Sequence, residues 1–323
     1  MADSNIDDMF NKMSEARDRY QAKAMSIPGV FGTSIGIRQV LGKLVAELAI
    51  IFHVEKKRSL QGIPADERIP KELEGFPTDV VDQEPPATDE AARTQAANVN
   101  DENKYRPLTG GCQIVEGHTK DWTTGTLGCV VKYIGPDGPP RDLRTGATYV
   151  LSVAHVMLGV GNDIFQSTSD KIGSVVASVL DDDVDAAISD IGWNLNKAVP
   201  EIIDIGPVKG THDVTSDDLM LSHNDYSVKK RGRTTGLTFG GVYALNFNGF
   251  NIPGADRRAV KNLMMIKAPG NEVFGDHGDS GSVVVNDANQ VVGLLTSMGA
   301  AGGIASAIPI RTVLDRLKIE ILV

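Results

Sequence analysis

The chain reads as mostly β: an all-β domain, sandwich or barrel, preceded by a small α/β module. Three observations predict this. From Leu108 onward, short apolar runs such as "TLGCVVKYI", "TYVLSVAHVM", "GSVVASVL", "GGVYALNF", "LMMIKA", "SGSVVV" and "QVVGLLTSM" alternate with Gly, Asp, Asn and Pro turns. Many short strands at fairly even spacing are the pattern of a sandwich or barrel. Before Asp82 the texture differs, with one helical stretch and longer strand-like runs. Between the two lies "DQEPPATDEAARTQAANVNDENKYRP", which is poor in large apolar residues and reads as a flexible linker over residues 83–107.

Residues Asp3 to Ala24 have helix-forming composition, with Ile6, Met9, Phe10 and Met13 at helical spacing. Pro28 and Gly29 end that pattern. "VFGTSIGIRQV" and "KLVAELAIIFHVEKK" read as two strands joined near Leu41–Gly42, and "ERIPKELEGFPTDVVD" as a short helix followed by one more strand. Residues 1–82 therefore form the α/β module, and residues 108–323 the β domain, in which only "IRTVLDRLKIEI" looks helical. The module carries no catalytic signature and is expected to serve packing or oligomerisation. No internal repeats are present.

A chain of 323 residues, 41% hydrophobic and 23% charged, fits an ordinary globular protein of roughly two domains. A net charge of −10 argues against a general nucleic-acid binder, which needs clustered Lys and Arg. The longest apolar run, "LVAELAIIFHV", carries Glu47 and His53 and is too short for a membrane span, so no membrane partner is expected. The acidic start "MADSNIDDMFNK" has no apolar signal core, which makes the cytoplasm the expected compartment. Cys112 and Cys129 are the only cysteines, too few for a disulfide framework or a four-cysteine zinc site, and reduced, partly buried thiols are expected. No metal and no cofactor are expected.

The stretch "HGDSGSVVV", residues 277–285, sets Ser280 between glycines, after an acid and before an apolar run. Such a turn is common, and becomes a nucleophile only if the chain also supplies a histidine base and a buried acid. His53, His118, His212 and His223 lie in polar or strand contexts without a partner motif. His155 ends the apolar strand "YVLSVAHVM" after small residues, a place where a rigid element can hold an imidazole. For the acid, Asp185 opens "DAAI" and Asp190 opens "DIGW"; the smaller, more apolar flanks of Asp185 suit burial beneath an imidazole and favour it over Asp190. Asp181 to Asp183 read as a solvated turn.

The ordered set "SVAHV", "VDAAI", "KKRGRTTGLTFGGV", "HGDSGSVVV" and "VVGLLTSMG" resembles the chymotrypsin-like (trypsin-like) serine peptidases over Leu108 to Val323. It is more similar still to the plant narrow-leaf-type peptidases and their bacterial relatives, which the first module also resembles through "LAIIFHVEKK…RIPKELEGFPTDVV". The resemblance implies an all-β double barrel and a serine endopeptidase. Ser280 would be the nucleophile, His155 its base, and Asp185 the orienting acid. The amides of Gly278 and Ser280 would form the oxyanion hole. It also implies a buried cation for Asp279. Arg233 in "GRTTG" is favoured, over a new N-terminus cut before Ile114 in "QIVEG", because Gln113 is no basic cleavage residue.

Phe274, six residues before Ser280, would floor the substrate pocket, with His277, Thr296 and Met298 lining it. An apolar side chain before the cut is the expected preference. The partner would be a protein or peptide substrate, and the narrow-leaf resemblance implies a homo-oligomer. A catalytically quiet scaffold that binds or assembles is the reading from another class. An acyl hydrolase using the same triad on small esters is a third.

Overall fold

The computed structural model describes residues 3–40, 43–83, 86–87, 99–117, 123–137, 143–167, 169–192, 198–222, 226–251, 258–299 and 302–323. His118 and His223 and most of the expected linker lie outside the described residues. The N-terminal segment holds α1 (Asp3–Ser26), β1 (Val30–Val40), β2 (Lys43–Val54), β3 (Glu72–Leu73), β4 (Phe76–Asp82) and β5 (Pro86–Ala87). The first half of the β domain holds β6 (Leu108–Gly110), β7 (Gln113–Glu116), β8 (Thr124–Thr126), β9 (Cys129–Tyr133), β10 (Thr148–Ser152) and α2 (Ala154–Met157). It continues with β11 (Asp163–Phe165), β12 (Lys171–Leu180), β13 (Asp185–Ser189), β14 (Ala198–Ile202), β15 (Gly206–Pro207) and α3 (Ser216–Leu221). The second half holds β16 (Tyr226–Gly232), β17 (Gly236–Asn251), β18 (Arg258–Lys267), β19 (Val283–Asn286), β20 (Val291–Gly299), β21 (Ile304–Pro309), α4 (Ile310–Leu317) and β22 (Ile319–Ile321).

Two sheets dominate. The first runs β22-β9-β10-β13-β12-β11-β7-β8, and only Leu127 and Gly128 separate the end of its last strand, β8, from the start of β9. The second runs β16-β19-β20-β21-β18-β17, and a β16–β17 pairing closes these six strands into a barrel. Alternating runs such as "SVVV" and "VVGLL" bury both faces here because each strand has core on one side and a packed neighbour on the other. The expected double-barrel fold is therefore present. The apolar interior includes Ile114, Val131, Leu151 and Ile188 of the first barrel and Val284, Leu295 and Ile266 of the second, each fully buried.

Strand β17 is 16 residues long, and its two halves have different partners. Gly236 to Val242 pair with β16, whereas Ala244 to Gly249 pair with β1. A register shift between Val242 and Ala244 separates them, and a second, with Asn246 at φ 51°, follows between Ala244 and Phe247, so the strand bends as it leaves the barrel. The carbonyl of Asn246 accepts from the buried Arg17 guanidinium of α1, and Gln21 of α1 reaches the Asn248 carbonyl at 3.2 Å. Met13 and Ala16 of α1, Ile35 of β1 and Phe52 of β2 thus join the same core as Val242, Met264 and Leu295. The segment 1–82 and the second barrel share one sheet and one core. In that segment the expected short helix in "ERIPKELEG" is absent. Pro70 interrupts it, 3₁₀ turns form upstream at Leu60–Gly62 and Ala65–Glu67, and Glu72–Leu73 is the strand β3. Glu74 and Gly75, at φ 52° and 87°, turn β3 into β4 as a hairpin.

Both cysteines are free and fully buried, and burial pushes each thiol up to about 12, which makes them poor nucleophiles near neutral pH. Among the described residues no helix is long and apolar enough to cross a membrane. His53 of β2 meets Ser34 of β1 at 2.7 Å, both fully buried, and burial lowers the imidazole from 6.5 to about 4. The unfolded chain therefore binds a proton near pH 6.5 that the folded chain refuses until about pH 4. Stability should fall by about 3 kcal/mol over that window. Denaturant midpoints between pH 7 and pH 4 should show this slope in the wild type and a flatter one in His53→Asn; equal slopes would contradict it.

Candidate active site

Antiparallel pairing of β10 with β13, Ser152 opposite Ala187, sets the first half of the site. His155 follows β10 as the second residue of the one-turn helix α2, and Asp185 opens β13. The His155 Nδ1 lies 2.6 Å from Asp185 Oδ2, and the His155 backbone N–H donates to Asp185 Oδ1 at 3.0 Å. An ionised carboxylate only accepts, so Nδ1 carries a hydrogen, and in the neutral imidazole the lone pair then lies on Nε2. Thr296 Oγ1 also donates to Asp185 Oδ2, at 3.1 Å. Asp190 points elsewhere, accepting from the Ser174 N–H at 2.8 Å. The structure joins His155 to Asp185 and not to Asp190.

Ser280 sits on the loop before β19, and its neighbours explain the two glycines. At Gly281, φ 93°, a Cβ would stand 2.0 Å from Ser152 Oγ; at Gly278, φ 94°, it would stand 2.5 Å from Thr234 Oγ1. The loop thus abuts the strand that leads directly into His155. The carbonyls of His277 to Ser280 are each occupied. Thr234 Oγ1 donates to His277 O at 2.5 Å and Thr126 Oγ1 to Gly278 O at 2.7 Å. The Ser282 hydroxyl donates to Asp279 O at 2.6 Å, and the Thr126 N–H to Ser280 O at 2.9 Å. Trans peptides point N–H opposite C=O, so tying the carbonyls of His277 and Asp279 aims the amides of Gly278 and Ser280 the other way. Neither amide meets a protein acceptor among the described residues. The loop lies against Ser152, three residues before His155, and the structure shows no hydrogen bond between Ser280 Oγ and His155.

Asp279 requires a correction: its cation is Lys230, not Arg233. Lys230 Nζ lies 2.9 Å from Asp279 Oδ2, and both side chains are 0% exposed. Thr235 Oγ1 at 2.6 Å and the N–H groups of Thr234 and Asp276 at 2.8 and 3.0 Å complete the carboxylate's shell. Burial alone would raise the Asp279 carboxyl, but Lys230 and Thr235 outweigh it and hold the group below the ordinary carboxylate value. Burial lowers the Lys230 ammonium. Arg233 instead grips Gln113 Oε1 through Nε at 2.9 Å and Nη2 at 2.6 Å. Strand alternation in "YSVKKRG" already turns Val228 and Lys230 inward and Ser227 and Lys229 outward, a signal for Lys230 that the "GRTTG" motif obscured. Ile114 is buried within β7, opposite Gly125 of β8.

The expected pocket is also revised. Phe274 is 0% exposed and belongs to the second-barrel core, where a Cβ at Gly240 would meet its ring at 2.8 Å. A ring without accessible surface cannot floor a pocket. The apolar preference argued from Phe274 therefore loses its basis. Thr296 is buried with its hydroxyl engaged by Asp185, and Met298 is a core residue packed near Gly275. His277 is half-buried, its N–H donating to Asp276 Oδ1 at 2.7 Å.

No family model matches the chain, and no curated protein sequence matches it. Solved structures do. A glutamic acid-specific serine protease, described as using a histidine triad in substrate binding, aligns with TM-score 0.51 and 16% identity, covering 67% of this chain and 100% of that one. Thermobifida fusca Protease A aligns with TM-score 0.49 and 19% identity, covering 67% and 98%. The chain has the fold of the chymotrypsin-like serine proteases, a double β-barrel with an added N-terminal part.

Removing Lys230 strands a buried carboxylate, so Lys230→Met should cost about 3–5 kcal/mol in urea unfolding, and Arg233→Met clearly less. Equal losses, or a larger one at Arg233, would contradict the pairing.

Proposed function

We propose that the protein is a serine endopeptidase. Ser280 Oγ attacks the scissile carbonyl, and His155 Nε2 takes its proton and then passes it to the leaving amine. Asp185 fixes the imidazole tautomer and balances the imidazolium that forms. The amides of Gly278 and Ser280 receive the developing oxyanion, and the loss of one such donor typically raises a barrier by about 2.7–4 kcal/mol. The reading is carried by one observation: the amides of Gly278 and Ser280 meet no protein acceptor among the described residues, while the carbonyls of His277 to Ser280 are each hydrogen-bonded. The motif order makes kinship with the narrow-leaf-type peptidases part of the same proposal, and the two free, buried cysteines support residence in a reducing cytoplasm.

A second reading, a catalytically quiet scaffold, is favoured by the missing hydrogen bond between Ser280 and His155. The geometry of an empty site often tightens only on binding substrate, so this separation is compatible with the first reading.

Labelling with a serine-directed fluorophosphonate separates the two. The full-length chain should be modified at Ser280, and Ser280→Ala should abolish the label. Asp185→Asn should slow turnover by about 10⁴, the loss seen when this acid is replaced in chymotrypsin-like peptidases. A label that survives Ser280→Ala, or none in the wild type, contradicts the proposal.

A further inference from the structure

Strand β20 has one edge that leads from the Ser280 loop to a second piece of this chain. One side of β20 is taken by β21, which pairs along it as far as Met298 opposite Ala305. The other side is covered first by β19, up to Leu294 opposite Val283. It is covered next by the Ser280 loop itself, where the Gly281 N–H donates to Leu295 O at 2.9 Å and the Leu295 N–H to Ser282 O at 2.9 Å. Past Leu295 that same side comes to Thr296, whose hydroxyl holds Asp185. It ends at Met298 and Gly299, where β5 pairs antiparallel, Ala87 opposite Met298 and Pro86 opposite Gly299. Since β21 already occupies one side of Met298, β5 lies on the side that begins at Ser280.

Direction adds to this. In an antiparallel register, the chain passing from Pro86 to Ala87 moves from Gly299 back towards Thr296, and so towards the nucleophile. An open strand edge beside a reacting serine is a place for an extended peptide to add as one more strand, with main-chain bonds supplying the affinity. The chain's next described tie also borders the Ser280 loop. The Asn100 N–H donates to Thr234 O at 3.1 Å and the Asp101 N–H to Arg233 O at 2.7 Å, and Thr234 in turn holds the His277 carbonyl.

We propose that Pro86–Ala87 is an intramolecular occupant of this peptide-binding edge, so that an extended substrate must displace it before reaching Ser280. The inference rests on the peptidase reading and adds its regulation. Tethering keeps the occupant at high effective concentration, while Pro86, which has no N–H, keeps the pairing thin enough to yield. Restraint is thus exerted on extended peptides laid along β20, and small acyl substrates escape it.

The test uses the full chain and Ala87→Pro, which removes the remaining amide of the two-residue strand. An extended peptidyl anilide and p-nitrophenyl acetate serve as substrates. Weakening the pairing by about 1.4 kcal/mol should raise kcat/KM for the anilide about 10-fold, with ester hydrolysis unchanged as the control for folding. An unchanged or lower anilide rate beside normal ester hydrolysis overturns the proposal. If neither substrate is hydrolysed, the peptidase reading fails on its own, and binding decides the occupancy. A synthetic peptide copying residues 81–89 should bind Ser280→Ala/Ala87→Pro about 10-fold more tightly than Ser280→Ala. Equal affinities overturn it.

Discussion

The buried pair of Lys230 and Asp279 is the constraint on which the site depends. Asp279 stands between Gly278 and Ser280, so anchoring its side chain inside the second barrel fixes the backbone on both sides of it. Two fully buried charges are costly, and Thr235, the Thr234 amide and the Asp276 amide supply the hydrogen bonds that make the pair tolerable. The cation comes from within β16. The loop thus takes its shape in the uncut chain, with Ile114 inside a strand and buried.

The first barrel acts on the same loop from the other side. Thr126 of β8 bonds to Gly278 O through its hydroxyl and to Ser280 O through its amide, while its Oγ1 accepts the Arg233 N–H. One threonine therefore couples the strand next to β7, the β16–β17 turn and the Ser280 loop. The bulged strand β17 does the corresponding work for the N-terminal segment, carrying β1 and receiving α1 through Arg17. The elements around Ser280 are in this way braced from both barrels.

Legibility in the sequence followed the range of each interaction. Most of the short strands and the helix α1 are local patterns that appear where their pattern puts them. His155 instead lies one turn past its strand on α2, and α2, α3 and the strand β22 depart from the single helical stretch 310–321 expected in the β domain. The choice of Asp185 over Asp190 was readable because small apolar flanks signal burial. The "GRTTG" motif points to Arg233, whereas the period-two alternation of β16 turns Lys230 inward. Phe274 looked like a pocket floor from its spacing to Ser280, yet whether a ring faces a cavity or a core depends on strands distant in sequence, here β17 and Gly240. Thr296, Thr126 and Thr234 act through long-range hydrogen bonds, and an isolated threonine carries no local sign of them. The hairpin at Glu74–Gly75 had such a sign in its glycine, but the surrounding Lys, Glu and Leu suggested helix.

The central claim is that the Ser280 loop is already arranged to receive an oxyanion. A crystal structure of the full-length protein with a peptidyl boronate tests this most directly. The account predicts a bond from boron to Ser280 Oγ, with a boronate oxygen about 2.7–3.1 Å from the amide nitrogens of Gly278 and Ser280. It also predicts that Lys230 and Asp279 stay paired and that the chain stays uncut. A boronate bonded elsewhere, or a loop that must flip its 277–278 peptide before the oxygen fits, would contradict it.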